Sequence, residues 1–382
     1  MKIVLLPLDE RPANTRYPQH IAAVAGVELL LPPTALLPAM RTPANRHGLG
    51  QWLTQLASVA RNIDGVVASI DLIGHGGLIA SRTSTLTVDA VLQAAEPLMH
   101  VRTAQCPLFA FNVIQRISNA NDNTEEPEYW GEYGTRLFRY SRVLDLALGG
   151  DAVAQAEQMT LEAEIPAVFR QQWLATRLRN HAVNLAMLHA AGADQFDLLV
   201  IPSDDTAPIG MSARERKHLE NWRTLQAPGA NVLLYPGADD LGSALVARMV
   251  NHKLGHSPKV FVHFGDESMR NNIAPYEDRP IDVAVATQIM AVGAQQTQHI
   301  DDADVILFVS PPFERMGDAD PSWRETDPHQ RRAALQPAVR LLGDWMRAGL
   351  KVAVADVAFP NGAEPALVEL LLENVAVHKL AA

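Results

Sequence analysis

Apolar residues fall into nine short runs that are continuous rather than alternating: Ile3-Leu6, Val27-Leu31, Val66-Ile70, Leu108-Val113, Leu198-Ile201, Val232-Tyr235, Val260-Phe264, Val305-Val309 and Val352-Ala355. Runs rich in Val, Ile, Leu and Phe that lack a polar face predict strands buried on both sides, as in parallel sheets covered by helices. Parallel pairing needs crossover connections. Segments with apolar residues three and four apart supply them at Gln51-Ala60, Val88-Met99, Ala213-Leu225, Leu241-Val250, Pro328-Met346 and Pro365-Glu373. The rhythm is β-α-β-α throughout.

Between Val113 and Phe196 the rhythm stops, and a helical insertion is predicted at about 115–195. It opens with SNANDNTEEPEYWGEYG, Ser118 to Gly134, a polar loop of the kind that often forms a binding loop or lid. Eight or nine βα units favour a (β/α)8-barrel-like α/β fold, with two doubly wound Rossmann-like parallel-sheet layers as the alternative. The chain therefore reads as a single catalytic-type domain over 1–382 carrying the insertion 115–195. The alternative is a split into 1–192 and 193–382. Either architecture places ligands at the carboxyl ends of its strands.

Composition narrows the functions. Hydrophobic residues make up 48% and charged residues 20% of the 382 positions, the balance of a globular protein. A net charge of -11 repels nucleic-acid phosphates and anionic membrane surfaces. Cys106 is the only cysteine, so an intramolecular disulfide and a Cys-rich metal site are excluded, and a reducing compartment fits. The opening MKIVLLPLDERP is too short in its apolar stretch for a signal peptide. No stretch reaches the roughly 18 consecutive apolar residues of a membrane span. A cytoplasmic protein is expected, whose partner is a small-molecule or carbohydrate substrate rather than nucleic acid or membrane. The sequence sets no oligomeric state.

Acid recurs where the predicted strands end. The first strand runs into Asp9, Arg11 and Asn14, and the third into Asp71, His75 and Arg82. The fourth ends at Asn112 with Gln115 and Arg116 beyond, the fifth at Asp204-Asp205, the sixth at Asp239-Asp240 and the seventh at Asp266-Glu267. Asp278 and Arg279 follow in a later loop. This pattern predicts one acidic mouth. Asp239 or Asp240 has a plain alternative as N-cap of LGSALVARM. Asp204-Asp205 lacks that alternative, because Ser212-Ala213-Arg214-Glu215 reads as a separate capping box. His75, set among Gly74, Gly76 and Gly77, suits a close backbone approach to a ligand, although the run matches neither a dinucleotide fingerprint nor a P-loop.

PLDERPAN, SIDLIGHGGLIASR, IPSDDTAPIGMSARER, GADDLGSALVAR and PYEDRP occur in this order. With them, over residues 1 to about 310, the chain resembles a bacterial family known as domain of unknown function 4127 (DUF4127). The resemblance implies that the strand-end segments are similar to the family's own motifs, and it implies no activity. It also implies a further segment rich in Trp, Asn and Thr, which this chain, ending at His378-Lys-Leu-Ala-Ala382, does not contain.

The chemistry expected first is that of a glycoside-hydrolase-like enzyme with paired carboxylates. Asp204 and Asp205 are its catalytic candidates, in an arrangement that resembles substrate-assisted N-acetylhexosaminidases. Asp9, Arg11, Asn14, Asp71, His75, Arg82, Asn112, Arg116, Asp240, Glu267, Asp278 and Arg279 are candidates for binding substrate, and Tyr129, Trp130 or Trp222 for stacking on a sugar. No cofactor is expected. Two alternatives stand: a divalent-metal-dependent hydrolase using Asp9, Asp71, His75, Asp204 and Asp240, and a non-catalytic binding protein for a sugar or another polar small molecule.

Overall fold

The computed structural model describes residues 1–59, 63–204, 206–226, 229, 231–274, 277, 279–311, 328–359 and 362–381. Its contacts divide the chain into two compact units, Met1–Lys253 and Leu254–Ala382. In order, the first unit contains β1 (Lys2–Leu6), α1 (Pro12–Val24), β2 (Glu28–Leu30), α2 (Arg46–Val59), β3 (Gly65–Ser69), α3 (Leu78–Thr83), α4 (Val88–Met99) and β4 (Leu108–Phe111). It continues with α5 (Trp130–Leu148), α6 (Ala152–Glu164), α7 (Ala167–Gly192), β5 (Leu198–Ser203), α8 (Met211–Gln226), β6 (Val232–Pro236) and α9 (Leu241–Leu254), the last crossing the unit boundary by one residue.

Every pairing in its sheet is parallel, in the order β2-β1-β3-β4-β5-β6. Alternate residues of these strands face opposite ways, and both sets are apolar, which is why the runs look continuous. Val4, Leu6, Val66, Ala68, Ala110 and Ile201 share one core with Leu53 of α2, Val91 of α4, Val183 of α7 and Leu219 of α8. The opposite face is crossed by α9. Met249 lies over Gly65, a Cβ on Gly242 would meet Pro18 and Leu5, and the His252 ring stands edge-on to Phe109 at 5.8 Å.

The second unit carries β7 (Lys259–Phe264), α10 (Ile281–Ala291), β8 (Gln295–Thr297), β9 (Val305–Ser310), α11 (Pro328–Arg347), β10 (Val352–Asp356) and α12 (Pro365–Asn374). Its sheet is also parallel, in the order β10-β9-β7-β8. All nine predicted strands are present. The tenth, β8, is a polar three-residue strand at the sheet edge and has no apolar run to announce it.

The barrel expectation is corrected, because neither sheet closes. Closure requires the last strand to pair with the first, whereas β2 and β6 end the larger order and β6 leads instead into α9. The helical insertion is present as α5, α6 and α7. A boundary at 192/193 is not where the units divide: α7 leads into β5, which lies between β4 and β6, so a cut there would split the larger sheet. Among the described residues no helix is long and apolar enough to cross a membrane.

Directly after β3 the chain makes a π-helical turn, Asp71–His75, closed by two glycines of positive φ. Gly76 (φ +96°) donates its N–H to the carbonyls of Asp71 (3.1 Å) and Leu72 (3.0 Å). A Cβ there would stand 3.0 Å from Pro43 Cβ and 3.2 Å from Ala44 N, whereas at Gly150 (φ +95°) it would meet nothing within 4 Å. Gly150→Ala should therefore cost only the left-handed strain, about 1–2 kcal/mol. Gly76→Ala should cost clearly more, read as a larger drop in the urea midpoint. Equal drops would show that the contact with Pro43 relaxes freely.

Candidate functional site

The carboxyl edge of the larger sheet gathers several of the predicted residues into two groups. The strand order reverses between β1 and β3, the topological position at which open parallel sheets usually bind ligands. Asp9 follows β1 and Asp71 follows β3.

The first group is centred on Arg11. Pro12 starts α1 with its fixed φ, and Arg11 occupies the cap position before it. The Arg11 guanidinium donates to Asp9 Oδ2 from Nε (2.9 Å) and Nη2 (2.6 Å). It also forks onto Asp239, at 2.9 Å to Oδ2 and 2.5 Å to Oδ1. Buried Asn14 donates Nδ2 to Asp9 Oδ1 (2.8 Å) and Asp239 Oδ1 (3.2 Å). Burial pulls against the Arg11 charge, but Asp9 and Asp239 outweigh it and hold the guanidinium more firmly protonated. Of the Asp239-Asp240 pair it is Asp239, not the predicted Asp240, that meets Arg11. The Asp240 carboxylate instead accepts the Ala238 N–H (3.0 Å) and packs on Gly237, closing the turn before α9.

The second group is centred on Arg82, which is 4% exposed. Its Nη2 donates to Asp204 Oδ2 (2.9 Å), its Nη1 to Glu125 Oε2 and Glu126 Oε1 (both 3.3 Å), and its Nε to Gln115 Oε1 (3.2 Å). Gln115 in turn donates Nε2 to Asp71 Oδ1 (3.1 Å), while Asp71 Oδ2 accepts the Val113 N–H (2.8 Å). Arg116 pairs with Glu125 at 2.8 Å. Three carboxyl groups thus share two guanidinium groups, and Asp71 joins them through Gln115. Burial raises both Glu126 and Asp71, the latter to about 7; for Asp71 the nearby Asp204 charge adds to burial, while the Val113 bond and Arg82 oppose it. Asp71 is 1% exposed.

Arg82 owes its place to α3, whose last carbonyls are collected by α7. Arg179 donates to the carbonyls of Ser81, Ser84 (2.6 Å) and Leu86 (3.5 Å), and Asn180 Nδ2 to Ser81 O (3.0 Å). Stripped of water there, Arg179 is lowered to about 10.

Several expectations change. His75 is buried, and burial together with Arg179 and Arg46 lowers it to about 3, so it is a neutral core histidine; its glycines serve the turn and the contacts of Gly74 with Val91 and Gly77 with Pro38. Asn112 is buried against α7, donating Nδ2 to Asn184 Oδ1 (2.8 Å). The Ser212/Glu215 capping box is absent: Glu215 is paired with Arg177 (2.9 and 2.5 Å). The amides at the start of α8 go to α5, Gly210 N to Asp145 Oδ2 and Met211 N to Ser141 Oγ (both 2.9 Å). Asp205 and Asp278 lie outside the described residues. Glu267 and Arg279 belong to the second unit, where Glu267 is exposed and pairs with Arg270 at 3.3 Å. Among the described residues no three His, Cys, Asp or Glu side chains group as metal ligands, so Asp9, Asp71, His75, Asp204 and Asp240 form no such set.

Gln115 and Asp239, named at strand ends but not among the site candidates, and Glu125 and Glu126, not singled out at all, complete the two groups. Glu125 and Glu126 lie in the polar loop after β4, which Arg41 fastens through the carbonyls of Asn123 and Glu126 (2.8 Å) and the Glu128 carboxylate (2.9 Å). Under this loop two cavities of about 20 Å³ each remain, one touching Asp9, Arg11, Gly77 and Glu125, the other Arg82, Gln115, Glu126, Tyr129, Trp130 and Trp173. A groove of about 710 Å³ between α2 and α4 touches no member of either group.

Fold and site together define a parallel α/β protein with an arginine-centred carboxyl cluster buried at the ends of its strands. The chain belongs to the family described as "Protein of unknown function (DUF4127)", whose model matches residues 3–382 and so runs past residue 310 through the second unit. No curated protein matches it. Among solved structures it is matched to apo D-lactate dehydrogenase from Escherichia coli, 11% identical over 100% of this chain and 80% of that one; the TM-score of 0.15 carries no argument.

Asp71 makes a pH prediction. Its folded-state value of about 7 stands above the roughly 3.9 of an unfolded aspartate, so between these values the folded chain holds a proton that the unfolded chain has lost. The favourable contribution is complete below about pH 4 and is lost as pH rises to 7, at up to about 1.4 kcal/mol per pH unit. Relative to Asp71→Asn, wild-type stability in urea should fall across pH 4–7 and run parallel above it. Parallel profiles across the whole range would show that Asp71 is ionised in the folded state.

Proposed function

We propose that the first unit is a glycoside-hydrolase-like enzyme in which Asp71 donates a proton and Asp204 acts as the ionised partner. The observation that carries this reading is the chain Asp71–Gln115–Arg82–Asp204, in which one carboxyl group is buried and raised to about 7 while the other is ion-paired at 2.9 Å. A carboxyl group raised by burial beside one held in an ion pair suits acid and base roles. Asp71 gives its proton to the leaving-group oxygen as the glycosidic C–O bond breaks. Asp204 takes a proton from the water that bonds to the sugar carbon. The Asp204-Asp205 adjacency suits an N-acetylhexosaminide, whose acetamido group a second acid would orient. Asp9, Arg11, Asn14 and Asp239 then serve sugar hydroxyls. Each cavity of about 20 Å³ holds little more than one water, so substrate entry requires the loop carrying Glu125 and Glu126 to move.

A second reading is a non-catalytic binding protein for a sugar or similar polar molecule, with the same Asp, Asn and Arg groups hydrogen-bonding a ligand that is not consumed.

Chromogenic glycosides, including an N-acetylhexosaminide, test the choice. Asp71→Asn and Asp204→Asn should each lower turnover about 10²–10⁴-fold with circular dichroism unchanged, and a chelator should leave turnover intact. Undiminished turnover in both variants sinks the assignment, and loss with chelator points to the metal-dependent alternative. A sugar that raises Tm without being consumed supports the binding reading.

A further inference from the structure

We propose that the open groove beside Tyr129 is a sugar-ring subsite from which substrate reaches the Arg82 cluster; this rests on the glycosidase reading and adds where the ligand binds first. The groove encloses about 520 Å³ and is lined by Arg41, Thr83, Pro127, Glu128, Tyr129, Phe169 and Gln172. That size lies within the range of about 300–1,000 Å³ of small-molecule sites.

The lining has the chemistry of a pyranose site. Tyr129 and Phe169 stack with ring centroids 4.8 Å apart and planes 16° apart, and Tyr133 braces Phe169 at 5.5 Å. They form a half-buried aromatic step, an apolar surface suited to the C–H face of a sugar ring. Around it stand a carboxylate, an amide, a hydroxyl and a guanidinium, the groups that exchange hydrogen bonds with ring hydroxyls. Glu128 and Arg41 are paired at 2.9 Å, so the rim offers no net charge to select a simple ion.

The groove also borders the inner cavity. Pro127 and Tyr129 line both it and the closed cavity walled by Arg82, Gln115 and Glu126. Tyr129 is the partition between them. Burial first and the Glu126 charge second raise its phenol well above the ordinary value, which keeps it a neutral donor at the boundary.

Trp130 and Trp173 line the inner cavity, so intrinsic fluorescence reports occupation of the neighbouring groove. The full chain is titrated with N-acetylglucosamine oligomers and with cellobiose, as wild type, Phe169→Ala and Gln172→Ala. A saturable change is expected for at least one sugar, weakened about ten-fold by Phe169→Ala and several-fold by Gln172→Ala, with KM for a hydrolysed glycoside raised in step and kcat unchanged. Gln172 is exposed on α7, so its removal leaves the fold intact. Binding and KM untouched by both variants, or no saturable change in the wild type, overturns the subsite. If Asp71→Asn retains turnover while the groove variants weaken binding, the catalytic reading falls and the subsite stands. If Asp71→Asn abolishes turnover and the groove variants leave KM alone, the subsite falls and the catalytic reading stands.

Discussion

Arg82 meets three carboxylates and one amide while almost wholly removed from water. A buried guanidinium cannot shed its proton, so its charge must be matched in place. That requirement ties together four regions of the first unit: α3, which carries the arginine; the loop after β4, which brings Glu125 and Glu126; the end of β5, which brings Asp204; and, through Gln115, the turn after β3. Taking the arginine away would leave buried carboxylates facing one another, at a cost of about 3–5 kcal/mol by the experience of broken buried pairs. Arg177 makes a second such contact, joining Glu215 of α8 to the Gln115 carbonyl (2.6 Å). The site is thus a set of charges that hold the covering loop and the sheet edge in one arrangement.

The fold was legible where burial acts on every residue of a segment. A strand covered on both sides must be apolar throughout, so nine strands stood out by composition alone. The short strand β8, three polar residues open to water, obeys no such rule. Barrel and open sheet share the same strands and differ only in whether the ends pair, a tertiary matter on which local pattern is silent.

The site was legible as a place and less so as a mechanism. Acid after β1, β3, β5 and β6 does lie on one edge of one sheet. Which of two neighbouring aspartates turns inward depends on a single turn, and Gly237 with its positive φ rotates Asp239 toward Arg11 while Asp240 closes the turn. Ser212 and Glu215 had the spacing of a capping box, yet Ser212 lies inside α8 and the Glu215 carboxylate goes to the buried Arg177. Glu125 and Glu126 were hidden in a polar loop, because nothing local distinguishes a solvated glutamate from one folded back over an arginine. His75 looked available for the same reason that it is not: the glycines around it permit a tight turn as readily as a ligand.

The return of α9 across the sheet has a consequence for biogenesis. It brings Asp239 to Arg11 over a separation of 228 positions. At about 5–20 residues per second a ribosome needs roughly ten to fifty seconds to cover that interval. Throughout it β1 and its arginine exist without the aspartate that fixes them, and β6 has yet to form. The nascent chain can pack helices on the early strands, but the carboxyl end of the sheet is assembled last. A truncated product that reads as well folded by helix content would still lack the clamp across its first and last strand ends.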